Sequence, residues 1–503
     1  MDSKLIQHPI IIKLLEKYRI LWALNHVSAL AHWDLETYMP KEGAKARGEA
    51  LSKIASLSQS LFLDKTFVDL IEQAAKETGL NEYELAVVRL LKRSLKYYQK
   101  LPPEFIEDFV KTTSEATVVW RNAKEKSDFS LFEPYLEKIV QLARKKAEYL
   151  GYKEHPYDAL LDDYEEGLTT KDAQNFFDSI KNPIVELINY VKNSKNFKHE
   201  HPLEHEEYDV EQMKKFTEKL LQFIHYNMDH IRIDTSSHPF SIYLGPGDQR
   251  ITTRYEGKDF ASAYSSAIHE YGHALYNLQS HEDLHYTPIS GGNSVVIHES
   301  QSRFWENFLG RSKEFIKFFY EDIIKIEKAI GKYSVDDIYE YLNLVRPSLI
   351  RTEADEVTYH LHVLIRFEIE KGLIEGSIQV KDVPKVWNEK YKKYLGVEPK
   401  NDSQGVLQDI HWSDGSIGYF PTYSLGTALS AMWKHKMEKD IGKISDLLKD
   451  KEGIKKIQDW LKKNIHQYGS TYTFKELVRK TSGEDFNIKY LIEYLENKYK
   501  NLY

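Results

Sequence analysis

The stretch SAIHEYGHALYNLQ, residues 266–279, carries two histidines four apart, with a glutamate directly after the first. Wound at about 100° per residue, 260–278 puts Phe260, Ala263, Tyr264, Ala267, Ile268, Tyr271, Leu275 and Leu278 on one apolar side of a helix. His269, Glu270 and His273 project from the other side. Histidines one turn apart can both reach one ion. Glu270 stands beside them, able to reach a metal-bound water without ligating the metal. Such a carboxylate takes the water's proton and hands it to a leaving amine. The plainer alternative is an ordinary solvated helix face. H-E-x-x-H arises by chance in roughly one chain in fifteen of this length and composition.

Two histidines make an incomplete site, so a third ligand is the test. VVIHESQSRFWENFLG (295–310) follows the ISGGN loop and reads as the next helix. A helix–loop–helix return brings Glu299 beside His269 and His273. Two His and one Glu form a catalytic zinc set, with the fourth position left for water. The alternative for Glu299 is an acid near a helix N-terminus, favoured by the macrodipole. His298 is expected to be a supporting residue rather than a ligand.

Outward from these helices, most of the 503 residues follow a helical pattern. Stretches 10–30, 44–60, 83–99, 131–150, 171–192 and 210–229 carry apolar residues at spacings of three and four. HPFSIYL (238–244) and QRITTRYE (249–256) are rich in β-branched and aromatic residues, and the LGPGD turn joins them. They predict a β-hairpin directly before the metal helix, a place to hold an extended peptide by main-chain hydrogen bonds. With no low-complexity linker and no internal repeat, 1–503 reads as one mainly α catalytic domain.

The charge is −8, from 69 basic and 77 acidic residues that are well mixed. No basic stripe marks a nucleic-acid or membrane-surface protein. Without cysteine, a metal must sit on His, Asp or Glu. Lys4, Lys13, Glu16, Lys17 and Arg19 interrupt the first apolar residues, which argues against a signal peptide or a spanning helix. The expectation is a cytoplasmic protein, and the Lys/Glu/Tyr-rich composition leans towards a thermophile.

The sequence resembles the carboxypeptidase Taq family of metallocarboxypeptidases. The H-E-x-x-H helix and HESQ (298–301) match its two metal motifs. HPF (238–240), D-x-R-x-T (Asp248, Arg250, Thr252), I-R-x-x-A-D (Ile350, Arg351, Ala354, Asp355) and G-x-x-Q-D-x-H-W (Gly405, Gln408, Asp409, His411, Trp412) are four further family motifs, present in that order along the chain. AHWDLETYMP (31–40) and TSGEDFNIKYLIEYLENKY (481–499) extend the likeness to both ends. The resemblance implies a saddle-like helical fold of two lobes around a deep groove, and a cytoplasmic homodimer. It implies broad release of single C-terminal residues from peptides, poor at proline. One divalent metal per subunit is expected, Zn²⁺ by default and Co²⁺ as an alternative.

A carboxypeptidase must grip a terminal carboxylate, and a planar guanidinium does so through two parallel hydrogen bonds. The resemblance favours Arg351 as this anchor; the alternative is an ion pair with Asp355, one helical turn on. Arg250 either binds substrate or, preferably, locks the hairpin through Asp248. His411 and Tyr423 are candidates to stabilise the carbonyl oxygen as it gains charge, with Tyr419 in reserve; each is alternatively a core residue. Gln408 and Asp409 are expected to orient neighbours or the substrate backbone, or to cap a turn. His238 is expected at the groove wall. The rival functions are an endo-acting oligopeptidase on the same metal core and an inactive peptide-binding protein.

Overall fold

The computed structural model describes residues 4–503 except 225, 226, 228 and 237, and omits the side chain of 41. The chain forms two compact units, each assembled from three segments. The first comprises Met1–Tyr98, Glu200–Leu342 and Trp433–Phe486, and the second Gln99–His199, Asn343–Met432 and Asn487–Tyr503. Among the described residues, no helix is long and apolar enough to cross a membrane.

The first unit contains a three-stranded sheet of β1 (Ile231–Thr235), β2 (Ser241–Gly245) and β3 (Asp248–Thr253), in the order β1-β3-β2. The hairpin is β2–β3, antiparallel and shorter than its predicted span. Pro246 and Gly247 form its turn, with Gly247 at φ +74° as such a turn requires. β1 pairs with β3 in parallel, Ile231 opposite Gln249 and Thr235 opposite Thr253. The Pro9–Thr37 helix lends Ile11, Leu14 and Leu21 to a hydrophobic core with Phe67, Ile71, Val87, Leu91, Leu284 and Ile289. The helix predicted over 210–229 ends at Phe223; residues 225, 226 and 228 of that span lie outside those described.

The metal-motif helix spans Phe260–Leu278, as its periodicity predicts, and Asp259 caps it by accepting from the Ser262 amide at 2.9 Å. It is buried on nearly every side, Glu270 included. Three of its tyrosines bury their rings and satisfy their hydroxyls on main-chain carbonyls. Tyr264 donates to Gly310 at 2.7 Å, Tyr271 to Ile224 at 3.0 Å and Tyr276 to Gly469 at 3.1 Å. Asn277 Nδ2 donates to Gln249 Oε1 at 3.1 Å, tying the helix to β3. Buried polar groups so partnered fix the helix in rotation as well as position.

The second unit is helical in its described residues and centres on the Tyr359–Glu375 helix. Glu370 of that helix is fully buried. It accepts from the Tyr157 hydroxyl at 2.6 Å, the Trp412 indole at 2.9 Å and the Gly418 amide at 2.9 Å. One carboxylate thus fastens both ends of the loop 412–418. Gly418, at φ +103°, passes the Leu160 carbonyl so closely that a Cβ would lie 2.7 Å from its oxygen.

Candidate active site

The predicted return of the second helix is present. Val295–Arg303 is α-helical, capped by Ser294, and continues as a π-helix over Phe304–Gly310, which periodicity did not foresee. It approaches the first helix at Gly272, where a Cβ would stand 2.5 Å from the Gln301 carbonyl oxygen. No other side chain fits there. This backbone-to-backbone approach carries Glu299 to the histidines.

Glu299 Oε2 lies 3.7 Å from His269 Nε2 and 3.8 Å from His273 Nε2. One ligand atom from each residue falls within 4.8 Å of the others. These separations exceed a hydrogen bond and sit near the spacing of about 3.4 Å between ligands of a tetrahedral ion with bonds of about 2.1 Å. The donors are two imidazoles and a carboxylate, so the residues fit a divalent cation such as zinc. Each is held from behind. His269 Nδ1 meets Glu306 Oε2 at 2.9 Å, and His273 Nδ1 meets His298 Nδ1 at 3.2 Å. Ser302 donates to Glu299 Oε2 at 3.1 Å, and Arg303 Nε to Glu299 Oε1 at 2.6 Å.

Burial, aided by the charges of His269, His298 and Arg303, holds His273 well below the usual histidine range, so it offers a neutral imidazole. Burial also acts to lower His269, but Glu299 and Glu306 outweigh it and the result is a rise. Burial pushes Glu270 up to about 7; His269 opposes this, while Glu299 and Glu306 add to it. Glu270 is 6 % exposed. A carboxylate in that range near a metal-bound water is poised to take a proton near neutrality. Burial would raise Glu306, yet Arg303 and Arg311 hold it far below the usual carboxylate range.

Also in the first unit, Arg250 commits Nε and Nη2 to the two oxygens of Asp248, both at 2.9 Å. Its guanidinium lies 5.8 Å from the Trp33 ring, and Phe240 packs on the same ring at 5.4 Å. Thr252 Oγ1 accepts from the Phe240 amide at 3.0 Å. The D-x-R-x-T and HPF residues thus brace the hairpin against the Pro9–Thr37 helix. His238 is exposed, and its carbonyl accepts from Ser236 Oγ at 2.6 Å.

The second unit brings Arg351, Gln408, His411 and Tyr423 together. Arg351 is buried and bonds Asp409 Oδ1 through Nε at 3.0 Å and Nη2 at 2.9 Å, while Nη1 donates to the Tyr359 hydroxyl at 2.9 Å. Its ion-pair partner is therefore Asp409 and not Asp355. Asp355 instead accepts from the amides of Val357, Thr358 and Arg346. Gln408 Oε1 accepts from the Arg351 amide at 2.9 Å and Arg366 Nη2 at 2.8 Å, and its Nε2 faces three carbonyls. His411 Nε2 lies 3.2 Å from the Tyr423 hydroxyl. Burial and the Arg351 charge press His411 down to about 3, so its imidazole is neutral.

Sequence reasoning passed over Glu306, Arg303, Arg311, Arg366 and Glu370. For Glu306 a signal existed: seven residues after Glu299 is two helical turns, on nearly the same face.

The family model described as carboxypeptidase Taq (M32) metallopeptidase matches residues 13–499. The chain belongs to this family. By that membership it is a metallocarboxypeptidase. Thermostable carboxypeptidase 1 of Pyrococcus furiosus is 46% identical over 498 residues, which cover 99% of this M32 chain and 100% of the relative. Carboxypeptidase 1 of Bacillus subtilis is 39% identical over 493 residues, covering 97% and 98%. The solved structure of the Pyrococcus furiosus carboxypeptidase matches at a TM-score of 0.96, over 98% of this chain and 100% of that one, at 46% identity.

Proposed function

We propose that this M32 enzyme removes single residues from the free C-termini of peptides, using one divalent cation held by His269, His273 and Glu299. The convergence of two Nε2 atoms on Glu299 Oε2, at 3.7 and 3.8 Å, carries this reading. Zn²⁺ is the expected ion on ligand chemistry, and Co²⁺ suits the same donors. When bound, the cation supplies a Lewis acid that polarises the scissile carbonyl and acidifies water.

Glu270 accepts the proton of the attacking water as its oxygen bonds to the carbonyl carbon. It returns that proton to the amide nitrogen as the C–N bond breaks, so the terminal residue leaves as a neutral amine. The His411–Tyr423 pair donates to the carbonyl oxygen as charge gathers there. Arg351 grips the terminal carboxylate: Asp409 and Tyr359 take three of its N–H bonds, and a guanidinium has about five. Gln408 holds the Arg351 main chain in place. Arg250, with Nε and Nη2 on Asp248, has a bracing role here, and His238 is assigned to the substrate-facing surface.

We read 1–503 as one catalytic domain, because neither unit is a continuous stretch of chain. Family resemblance supports a cytoplasmic homodimer. The composition supports a thermostable protein without nucleic-acid or membrane partners. The test is amino-acid release from an N-blocked peptide with a free or an amidated C-terminus, before and after chelation and with Zn²⁺ or Co²⁺ added back. Stepwise loss from the free peptide alone, dependent on metal, is the expected result. Internal cleavage of both peptides would remove Arg351 from its role.

A further inference from the structure

Glu306 sits behind the metal helix, inside the π-helical turn, and is 6 % exposed. Its oxygens are both engaged. Oε2 faces His269 Nδ1 at 2.9 Å and Arg303 Nη1 at 3.2 Å, and Oε1 faces Arg311 Nη2 at 2.8 Å. Glu306 faces guanidinium N–H donors on both oxygens and accepts from them, so the His269 atom placed to donate to it is Nδ1. The Nε2 lone pair is then directed to the side where Glu299 lies. His273 is supported differently: its Nδ1 meets another imidazole, that of His298. The two metal-facing histidines thus have unlike partners, one anionic and one neutral.

Arg303 joins the ligand to the support. Its Nε holds Glu299 Oε1 at 2.6 Å while Nη1 reaches Glu306. Glu299 therefore presents Oε2 to the histidines and keeps Oε1 turned to Arg303. The π-turn itself is clamped to the metal helix, since Tyr264 bonds the Gly310 carbonyl and a Cβ on Gly310 would meet Ile268 Cδ1 at 2.9 Å. A helix widened at this point is a common sign of a functional constraint.

We propose that Glu306 is the positioning residue that sets metal retention, by fixing the His269 tautomer and, through Arg303, the oxygen that Glu299 offers. The inference rests on His269, His273 and Glu299 being the ligands. The competing role for Glu306 is to neutralise Arg303 and Arg311 without affecting the cation.

The experiment compares full-length wild type with Glu306→Gln and with the charge-balanced double variant Glu306→Gln/Arg311→Met. The dissociation constants for Zn²⁺ and Co²⁺ are measured by competition with a chromophoric chelator, together with the visible spectrum of the Co²⁺ form and the melting temperature of the metal-free protein. The expected result is about 10- to 100-fold weaker binding in both variants, with a shifted Co²⁺ band. The double variant guards against mere unfolding, because it leaves no unpaired guanidinium at Oε1. Binding within twofold of wild type in a folded variant would overturn the proposal. Glu299→Ala serves as the control, and metal retention by it would overturn the ligand assignment itself.

Discussion

A Cβ placed on Gly272 would stand 2.6 Å from the Cα of Ser302. The glycine inside H-E-x-x-H is therefore a spacer of zero width between the two helices that carry the His269, His273 and Glu299 group. Gly272→Ala gains about 1 kcal/mol of helix propensity and loses far more to overlap with backbone that cannot rotate away. We expect a net destabilisation of about 3 kcal/mol and a fall in metal content, read by chemical denaturation and by metal analysis of the purified variant.

Glu270→Gln should keep its metal and lose turnover by about 10²- to 10⁴-fold. Activity requires the ionised carboxylate, so it should rise with pH through the Glu270 pKa. Burial, with the charges of Glu299 and Glu306 against that of His269, sets that pKa at about 7. A bound dication nearby favours the charged form and moves the acid limb of kcat/KM below 7. A limb that moves when Zn²⁺ is exchanged for Co²⁺, two ions of equal charge, would assign it to a group on the metal and not to Glu270.

Glu370 predicts a pH effect on stability instead of on rate. Burial raises its carboxyl from 4.5 to about 7 in the folded chain, against the pull of its three donors. A folded pKa above the unfolded one stabilises fully below about 4.5 and is lost as pH rises through 7. The shift corresponds to about 3 kcal/mol. Glu370→Gln removes this dependence, so the stability gap between wild type and variant should narrow or reverse from pH 5 to pH 8 in parallel denaturation curves.

Arg351→Lys keeps the charge and loses the planar fork. On peptides with a free C-terminus, kcat/KM should fall by about 10- to 100-fold, chiefly through KM. Discrimination against amidated peptides should shrink in the same proportion. If Arg351 only supports Asp409, melting temperature falls and discrimination stays.

Much of this was legible in the residues because it is local. The metal-motif helix announces itself by a 3.6-residue period and two histidines one turn apart, and the approach of Glu299 to them follows from a short loop. What escaped depends on distance along the chain. β1 is five residues long, carries Arg232 and Asp234, and finds its parallel partner only in the folded sheet. The pairing of Arg351 with Asp355 assumed an α-helix, but Arg351–Glu353 is a short 3₁₀ turn and the true partner is 58 residues away. Glu306 acts through the π-turn, a geometry that an α-helical period does not register.

The two motif helices wait for supports that lie 165 to 193 residues further along the chain. Gln458 Nε2 donates to the Tyr271 hydroxyl at 2.7 Å, His466 bonds Gln301 at 2.8 Å, and the Tyr276 hydroxyl needs the Gly469 carbonyl. During synthesis, the H-E-x-x-H segment leaves the ribosome long before these partners exist. The buried hydroxyls and amides around it stay unsatisfied until those residues have been made. A hydrolase assembled in this order is expected to stay inactive as a nascent chain until residues 458–469 have joined the two motif helices.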